Sequence, residues 1–298
     1  MRVLVIGSEG FIGKHTIQML PSYGYNVIGC DILEEGECDN YVRIDKDYPD
    51  FKKVIEEISP DVCINCSGAA SVPLSLKNPK NDFDLNVYKV VEILDAIRNA
   101  NKKIRFIHLS SAAVYGNPKS LPIYESDLAA PISPYGFHKK SAEDICREYF
   151  KFFGIESVSL RVFSAFGEGL KKQLFWDVFN RSQTSNELVL YGTGKETRDF
   201  IYVKDIVRIF DLLIKKGTFD GEAFNVASGI EISISHAVKE MLSKLGWKGN
   251  ITFDGQGRDG DPVNWKADIT KLQALGFEPK FSFNVALEEL VRWLKEQK

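Results

Sequence analysis

Cysteine and histidine are scarce in this sequence of 298 residues, and neither is grouped for a purpose. The five cysteines (Cys30, Cys38, Cys63, Cys66 and Cys146) are odd in number and lack a framework spacing, which argues against disulfides and for a reducing cytoplasm. Cys63 and Cys66 make a C-x-x-C in "DVCINC". Positions three apart on a strand face opposite ways, however, and no second Cys or His pair lies nearby. His15, His108, His138 and His236 show no ligand spacing either, so no metal is expected. An excess of one charge sign is also missing. With 38 basic and 41 acidic residues well mixed and a net charge of −3, the chain has no basic stripe of the kind nucleic acid requires. No apolar run approaches a membrane span. At the N-terminus the apolar run "VLVI" is only four residues long, which reads as a strand and not as a signal peptide. Repeats and low-complexity linkers are lacking too.

What is present is a core and a rhythm. Apolar residues make up 44% of the chain, enough for one large domain or two intimate ones. The segments "RVLVIG", "YNVIGCD", "YVRID", "DVCINCSG", "IRFIHLSS" and "ESVSLRVF" read as strands, most of them apolar nearly throughout. Helical patterns separate them, over about 11–20, 50–58, 84–100 and 135–153. Strand and helix alternating in this way predict right-handed crossovers and an α/β fold with a doubly wound parallel sheet. After about Gly167 the rhythm breaks into a smaller mixed α/β region, with helices expected at 204–216, 233–245 and 283–295 and a strand at "AFNVAS". The expected division is 1–165 and 166–298, with about 199–227 crossing back to the first part.

The first candidate site is "VLVIGSEGFIGKH", where Gly7, Gly10 and Gly13 fall between the first strand and the first helix. Glycines there allow a tight turn and let the backbone approach a pyrophosphate, which can rest on the free N–H groups of the helix start. Asp31 follows eighteen residues after Gly13, at the end of the second strand. A carboxylate there can accept hydrogen bonds from the adenosine ribose and would repel a 2′-phosphate, which favours NAD over NADP.

The second candidate site involves a tyrosine and a lysine four apart, a pattern that occurs four times: Tyr48/Lys52, Tyr115/Lys119, Tyr135/Lys139 and Tyr191/Lys195. Gly116 and Pro118 break any helix after Tyr115, "GTGK" follows Tyr191, and Tyr48 precedes the helix that Pro49 is expected to begin. Only Tyr135 enters a long helical pattern, just after Pro134, where i and i+4 share a face. An ammonium beside a phenol favours the phenolate, and such a tyrosine can move a proton to or from a sugar hydroxyl.

With these motifs, and with Asn86 in "DLNV", "LSSAAVYG", "SPYGFHK", "LRVFSAFG", "GTGKETRDFIYVKD", "FNVASG" and "GRDGDPVNW", the chain resembles an extended short-chain dehydrogenase/reductase of the NAD-dependent epimerase/dehydratase group nearly end to end. That resemblance implies an NAD-binding Rossmann domain and a nucleotide-sugar-binding domain. It makes Ser111, Tyr135 and Lys139 catalytic. Gly7, Gly10, Phe11, Ile12, Gly13, Asp31, Asp45, Asn86, Ser110, Phe163, Tyr135 and Lys139 would bind the cofactor. Ser111, Tyr135, Ser164, Arg198 and Arg258 would meet the nucleoside-diphosphate sugar, with the two arginines clamping the diphosphate. A homodimer through the helices from Asp84 and Tyr135 is implied as well.

Two departures narrow the chemistry. Ala112 and Ala113 stand where sugar 4,6-dehydratases carry an Asp-Glu pair, and two alanines can neither protonate a leaving hydroxyl nor take a C5 proton. Ser164 stands where many 4-epimerases have an asparagine. The expectation is hydride transfer at C4 by a UDP-sugar 4-epimerase, with a 4-keto-6-deoxy nucleotide-sugar reductase as the alternative. A silent dinucleotide sensor or scaffold is disfavoured by the intact Ser111, Tyr135 and Lys139.

Overall fold

A computed structural model describes residues 1–257, 260 and 262–297. The chain first lays down β1 (Arg2–Ile6), β2 (Asn26–Asp31), β3 (Tyr41–Arg43), β4 (Val62–Asn65), β5 (Arg105–Ser111) and β6 (Ser157–Val162). It continues through β7 (Ser164–Phe166), β8 (Glu187–Leu190) and β9 (Thr197–Tyr202) to β10 (Asp220–Val226), β11 (Glu231–Ser233) and β12 (Asn250–Phe253). The helices are α1 (Phe11–Met19), α2 (Phe51–Ile58), α3 (Val72–Lys77), α4 (Pro79–Phe83), α5 (Lys89–Arg98) and α6 (Pro134–Phe153). They are followed by α7 (Gln173–Ser182), α8 (Val203–Lys216), α9 (Ile234–Leu245), α10 (Thr270–Ala274) and α11 (Phe283–Lys295).

Seven strands form one sheet in the order β3-β2-β1-β4-β5-β6-β10, every neighbouring pair parallel. Parallel strands joined through helices have both faces covered, and β4 and β6 are accordingly buried at every position. On one face Ile17 of α1 and Ile206, Val207 and Phe210 of α8 pack with Val3, Val5 and Ile107. On the other, α2, α5 and α6 bring Val54, Leu94 and Ala142 against Leu4, Ile6 and Phe106. This is the doubly wound sheet that the alternation of elements predicts. The later elements add a smaller mixed sheet in which β9 lies parallel to β7 and antiparallel to β11, while β8 pairs with β12. Phe166, Phe179, Phe200, Met241 and Leu290 form the core around it.

Local details differ from the sequence reading for identifiable reasons. The helix expected over 84–100 opens as a π turn, Asp84–Tyr88, before α5 begins. Helix α1 stops at Met19, and Leu20–Tyr23 tighten into a 3-10 turn whose first positions tolerate Pro21 because that turn needs no N–H there. Cys66 lies just past β4 and not on it, although Cys63 is buried in the strand as expected. The short helices α3 and α4 have no long apolar period to announce them. Each starts from a capping side chain, Ser71 or Asn78, with a proline in its first turn.

All the parallel strands end at one edge, and the order reverses beside β1, where the chain turns outward to β2 and β3 on one side and runs on to β4 on the other. A crevice outside the carboxyl ends of the strands at such a reversal is where open α/β sheets bind ligands.

Candidate active site

At the end of β1 the chain turns into α1 through Gly7 and Gly10. A side chain at Gly7 (φ +79°) would put its Cβ 2.6 Å from the Ser67 nitrogen, and one at Gly13 would lie 2.0 Å from the Gly7 carbonyl oxygen. Both must be glycine for the turn to close. Gly10 is different: it is exposed and meets only the Gly7 oxygen at 3.3 Å, so the space above the helix start stays open. Gly10 caps α1 without a side-chain hydrogen bond, no acidic residue stands in the first turn, and the helical ladder begins with the Lys14 N–H on the Gly10 carbonyl. The N–H groups of Phe11, Ile12 and Gly13 are the donors such a start leaves unsatisfied, and a pyrophosphate fits them.

Asp31 ends β2 and binds two backbone N–H groups. Its Oδ2 accepts the Glu9 N–H at 2.9 Å and its Oδ1 the Ile32 N–H at 2.7 Å, so it ties the glycine loop to the strand. Each oxygen retains a further acceptor position. Asp45 lies two residues beyond β3, with Oδ1 accepting N–H from Asp47 and Tyr48 at 2.8 Å each. Those bonds hold its carboxyl below the usual range.

The end of β5 and the start of α6 bring Ser111, Tyr135 and Lys139 together. Ser133 caps α6 by accepting the Gly136 N–H at 3.2 Å, and Pro134 sits in the first turn, which fixes Tyr135 as the second helical residue. Burial pushes the Tyr135 phenol up to about 12, a hydrogen bond with the Ser111 side chain draws it back down, and the Asp82 charge raises it. One turn on, Lys139 is 4% exposed and donates to the Leu109 carbonyl at 2.8 Å. Burial lowers its ammonium to about 8, against the opposing pull of Asp82 and Glu143. Lys139 Nζ stands 6.0 Å from the Tyr135 ring centre, and Ser111 is the neighbour that draws the phenol down.

Asn86 sits in the π turn, 1% exposed, with both side-chain amide atoms lacking a protein partner. Gly68 packs against it: a Cβ there would lie 2.6 Å from Asn86 Oδ1 and 3.6 Å from Lys139 Nζ. Asn86 and Lys139 thus form one wall. Beside it Asp82 holds His138 Nδ1 at 2.6 Å through Oδ2, while its buried Oδ1 has no partner.

Behind the strand ends runs a polar network that the sequence reading missed. Ser110 donates its hydroxyl to Glu143 at 2.5 Å, and Glu143 grips Arg161 at 2.8 Å. Arg161 donates to the Tyr115 hydroxyl at 2.8 Å, and Tyr115 donates to Asn225 Oδ1 at 2.6 Å. Ser110 was expected to bind the cofactor, yet its hydroxyl belongs to this network. The Phe163 ring is packed between Tyr115 and Trp265. A signal did exist: Arg161 puts the one charge into a strand of serines and apolar residues, and Glu143 lies four residues after Lys139 on the same helix face.

Toward the second sheet, Ser164 stands on β7 and Arg198 on β9. Arg198 Nη1 donates to the carbonyls of Thr197 at 2.8 Å and Val263 at 3.1 Å, with its guanidinium 5.6 Å from the Trp265 ring centre. Arg258, its expected companion, lies outside the described residues. Among the described residues no three His, Cys, Asp or Glu side chains are grouped to hold a metal ion.

Residues 3–227 match the family model of the NAD dependent epimerase/dehydratase family. The chain belongs to that family. Its relatives include a UDP-glucose 4-epimerase from Lactobacillus helveticus, 29% identical, with 94% of this chain and 92% of the relative covered. Among solved structures it resembles a UDP-N-acetylglucosamine 4-epimerase from Methanobrevibacter ruminantium M1 in complex with UDP-N-acetylmuramic acid. The TM-score is 0.90 at 28% identity, covering 100% of this chain and 99% of the other. A UDP-glucuronic acid 4-epimerase from Bacillus cereus, in complex with UDP-glucuronic acid and NAD, gives a TM-score of 0.91 at 28% identity with both chains fully covered, 100% each.

Proposed function

We propose that this protein is an NAD-dependent UDP-sugar 4-epimerase in which Ser111, Tyr135 and Lys139 carry the chemistry. The observation that supports it best is the convergence of Ser111 at the end of β5 with Tyr135 and Lys139 on the first turns of α6, Lys139 Nζ 6.0 Å from the Tyr135 ring centre, beside a glycine-built helix start. Bound NAD supplies a hydride acceptor that can return the hydride to the opposite face of the sugar carbon. Tyr135 takes the proton from the C4 hydroxyl and later gives it back, a role that suits a phenol held by one hydroxyl neighbour. Ser111 donates to the same sugar oxygen and orients it. Lys139, fixed to β5, holds the nicotinamide ribose and keeps a positive charge near Tyr135 below about pH 8. Gly7, Gly10, Phe11, Ile12, Gly13, Asp31, Asp45 and Asn86 form the dinucleotide bed, with Ser110 and Phe163 contributing backbone. Ser164, Arg198 and Arg258 face the nucleotide sugar, and the two arginines take its diphosphate. The assembly is a homodimer through α5 and α6, and the division of labour falls near residue 165.

Ala112 and Ala113 offer no acid or base, which supports epimerisation over dehydration. The test is to incubate the purified protein with UDP-hexoses without added reductant and follow both sugar composition and the reduced-nicotinamide absorbance. Interconversion of C4 epimers without net cofactor reduction is expected. Stoichiometric consumption of added NADH by a 4-keto sugar nucleotide, without epimer formation, would replace this reading with the reductase.

A further inference from the structure

Asp82 is a buried carboxylate that the chemistry proposed above does not use. It stands on α4 with its side chain only 3% exposed, and α4 packs against α3, the π turn and α6, which carries Tyr135 and Lys139. Its Oδ2 accepts from His138 Nδ1 at 2.6 Å, and its buried Oδ1 has no partner among the described residues. A carboxylate only accepts, so Nδ1 carries the proton of that bond and Nε2 is the ring atom that gains or loses one. His138 is the chain neighbour of Lys139, and its side chain, 16% exposed, reaches water where Asp82 does not.

A carboxylate short of hydrogen bonds acts strongly on its neighbours where water is excluded. Burial raises the Tyr135 phenol, Ser111 draws it down, and Asp82 is the charge that raises it further. Burial lowers the Lys139 ammonium, and Asp82 leads the groups that pull it back up, ahead of Glu143. The other charges around the pair are engaged elsewhere. Lys80 is paired with Asp84 and Lys140 with Asp144, each at 2.6 Å, and Lys89 lies 3.6 Å from Glu92. Glu143 is taken by Ser110 and Arg161, while Lys77 of α3 and Tyr88 of the π turn are exposed. Burial and Lys139 both disfavour a charge on His108 of β5, and burial keeps Cys66 and Cys146 as thiols.

We propose that Asp82 is a positioning residue for proton transfer at Tyr135, and that His138 is the residue through which solvent pH reaches it. With His138 neutral, Asp82 is an uncompensated anion that keeps the proton on Tyr135 and the charge on Lys139. With His138 protonated, the two charges offset one another and Tyr135 ionises more readily. The proposal rests on the epimerase reading, in which Tyr135 takes the C4 hydroxyl proton and must be a phenolate to do so.

Asp82→Asn and His138→Gln alter the same hydrogen bond but change the charge in opposite directions, one removing an anion and the other a cation. The kcat for C4 epimerisation is measured on each full-length protein from about pH 5 to 9, the range in which a histidine titrates, together with KM and NAD affinity. Asp82→Asn should move the acid limb of kcat to lower pH by about one unit, and His138→Gln should move it to higher pH. KM and NAD affinity should stay close to wild type in both. Loss of packing alone lowers kcat in both variants and does not part their limbs. An acid limb unmoved in Asp82→Asn, or moved the same way in both variants, makes the pair structural and overturns the proposal. A limb lowered in Asp82→Asn and unmoved in His138→Gln strikes His138 from it. Should Asp82→Asn fail to fold, the direction of the limb in His138→Gln decides. A wild-type protein that interconverts no C4 epimers overturns the epimerase reading alone. Tyr135 is then titrated by its tyrosinate absorbance, as the difference between each protein and the same protein carrying Tyr135→Phe. A midpoint lowered by Asp82→Asn upholds the action of Asp82 on Tyr135, and an unmoved midpoint overturns this proposal as well.

Discussion

Lys139 Nζ lies 6.0 Å from the centre of the Tyr135 ring and is bonded to the Leu109 carbonyl at 2.8 Å, so the lysine is anchored to β5 and not to the phenol. Burial raises the Tyr135 phenol to about 12, so its ionisation is favoured by positive charge or hydrogen-bond donors brought near it and opposed by further loss of water.

Tyr135→Phe removes one hydroxyl and keeps the ring, so folding and NAD binding should survive while kcat falls by about 10²–10⁴-fold. Tyr48→Phe and Tyr191→Phe remove the same atom from two other Tyr-x-x-x-Lys sites; Tyr48 is 87% exposed. Steady-state kinetics on the three variants separates them. Full activity in folded Tyr135→Phe would end the proposed role of this tyrosine.

Burial of Lys139 has a pH consequence that can be read in stability. Its folded pKa, about 8, is below the ordinary 10.5. Between these values the unfolded chain holds the proton and the folded one has released it, so unfolding binds protons and stability rises with pH. Below about pH 8 both states are protonated, and the burial penalty is fully present. Urea unfolding of dinucleotide-free protein between pH 8 and 10 should show this gain, roughly 2–3 kcal/mol, and Lys139→Met should abolish it. A wild-type curve that parallels that of Lys139→Met would contradict the shift.

Tyr115→Phe is expected to act on stability. The substitution strips the hydroxyl that donates to Asn225 and accepts from Arg161, leaving buried polar atoms short of a partner. The loss should be about 1–3 kcal/mol in chemical denaturation, with kcat of the folded fraction within a few-fold of wild type. A stable variant with collapsed kcat would instead place Tyr115 at the reacting atoms.

Arg198→Ala and Arg258→Ala should each raise KM for the nucleotide sugar far more than they weaken NAD. Arg198 also holds the Val263 carbonyl, so its removal should loosen the segment around Trp265 and raise KM further than the Arg258 change does. Loss of NAD affinity with an unchanged sugar KM would reverse the assignment of the two halves.

Much of this molecule was legible because its signals are local. The strand before Gly7, the cap and proline ahead of Tyr135 and the apolar spacing of the helices each sit within one turn or one strand. What was not legible depends on chain segments meeting from far apart. That Tyr115 is a structural hydroxyl follows only when Asn225 arrives beside it. Asp31 reads as a ribose acceptor from its place after β2, whereas its grip on Glu9 depends on how the glycine loop folds back. The π turn at Asn86 is likewise a departure within a helical pattern, and periodicity cannot register one extra residue.

The return of β10 to the sheet has a consequence for how the protein is made. Strand β6 is an inner strand only because Asp220–Val226 pairs with it, and Asn225, fully buried, then binds the carbonyls of Ile123 at 2.9 Å and Asp268 at 3.2 Å. A nascent chain that has emerged only to β6 carries an open parallel edge, with a row of unpaired N–H and C=O groups. Closing that edge requires contacts of long sequence separation, which form late and slowly. During synthesis the seven-stranded sheet is thus left unfinished until the chain beyond β9 has been made, and the interval is a window for pairing with another nascent copy.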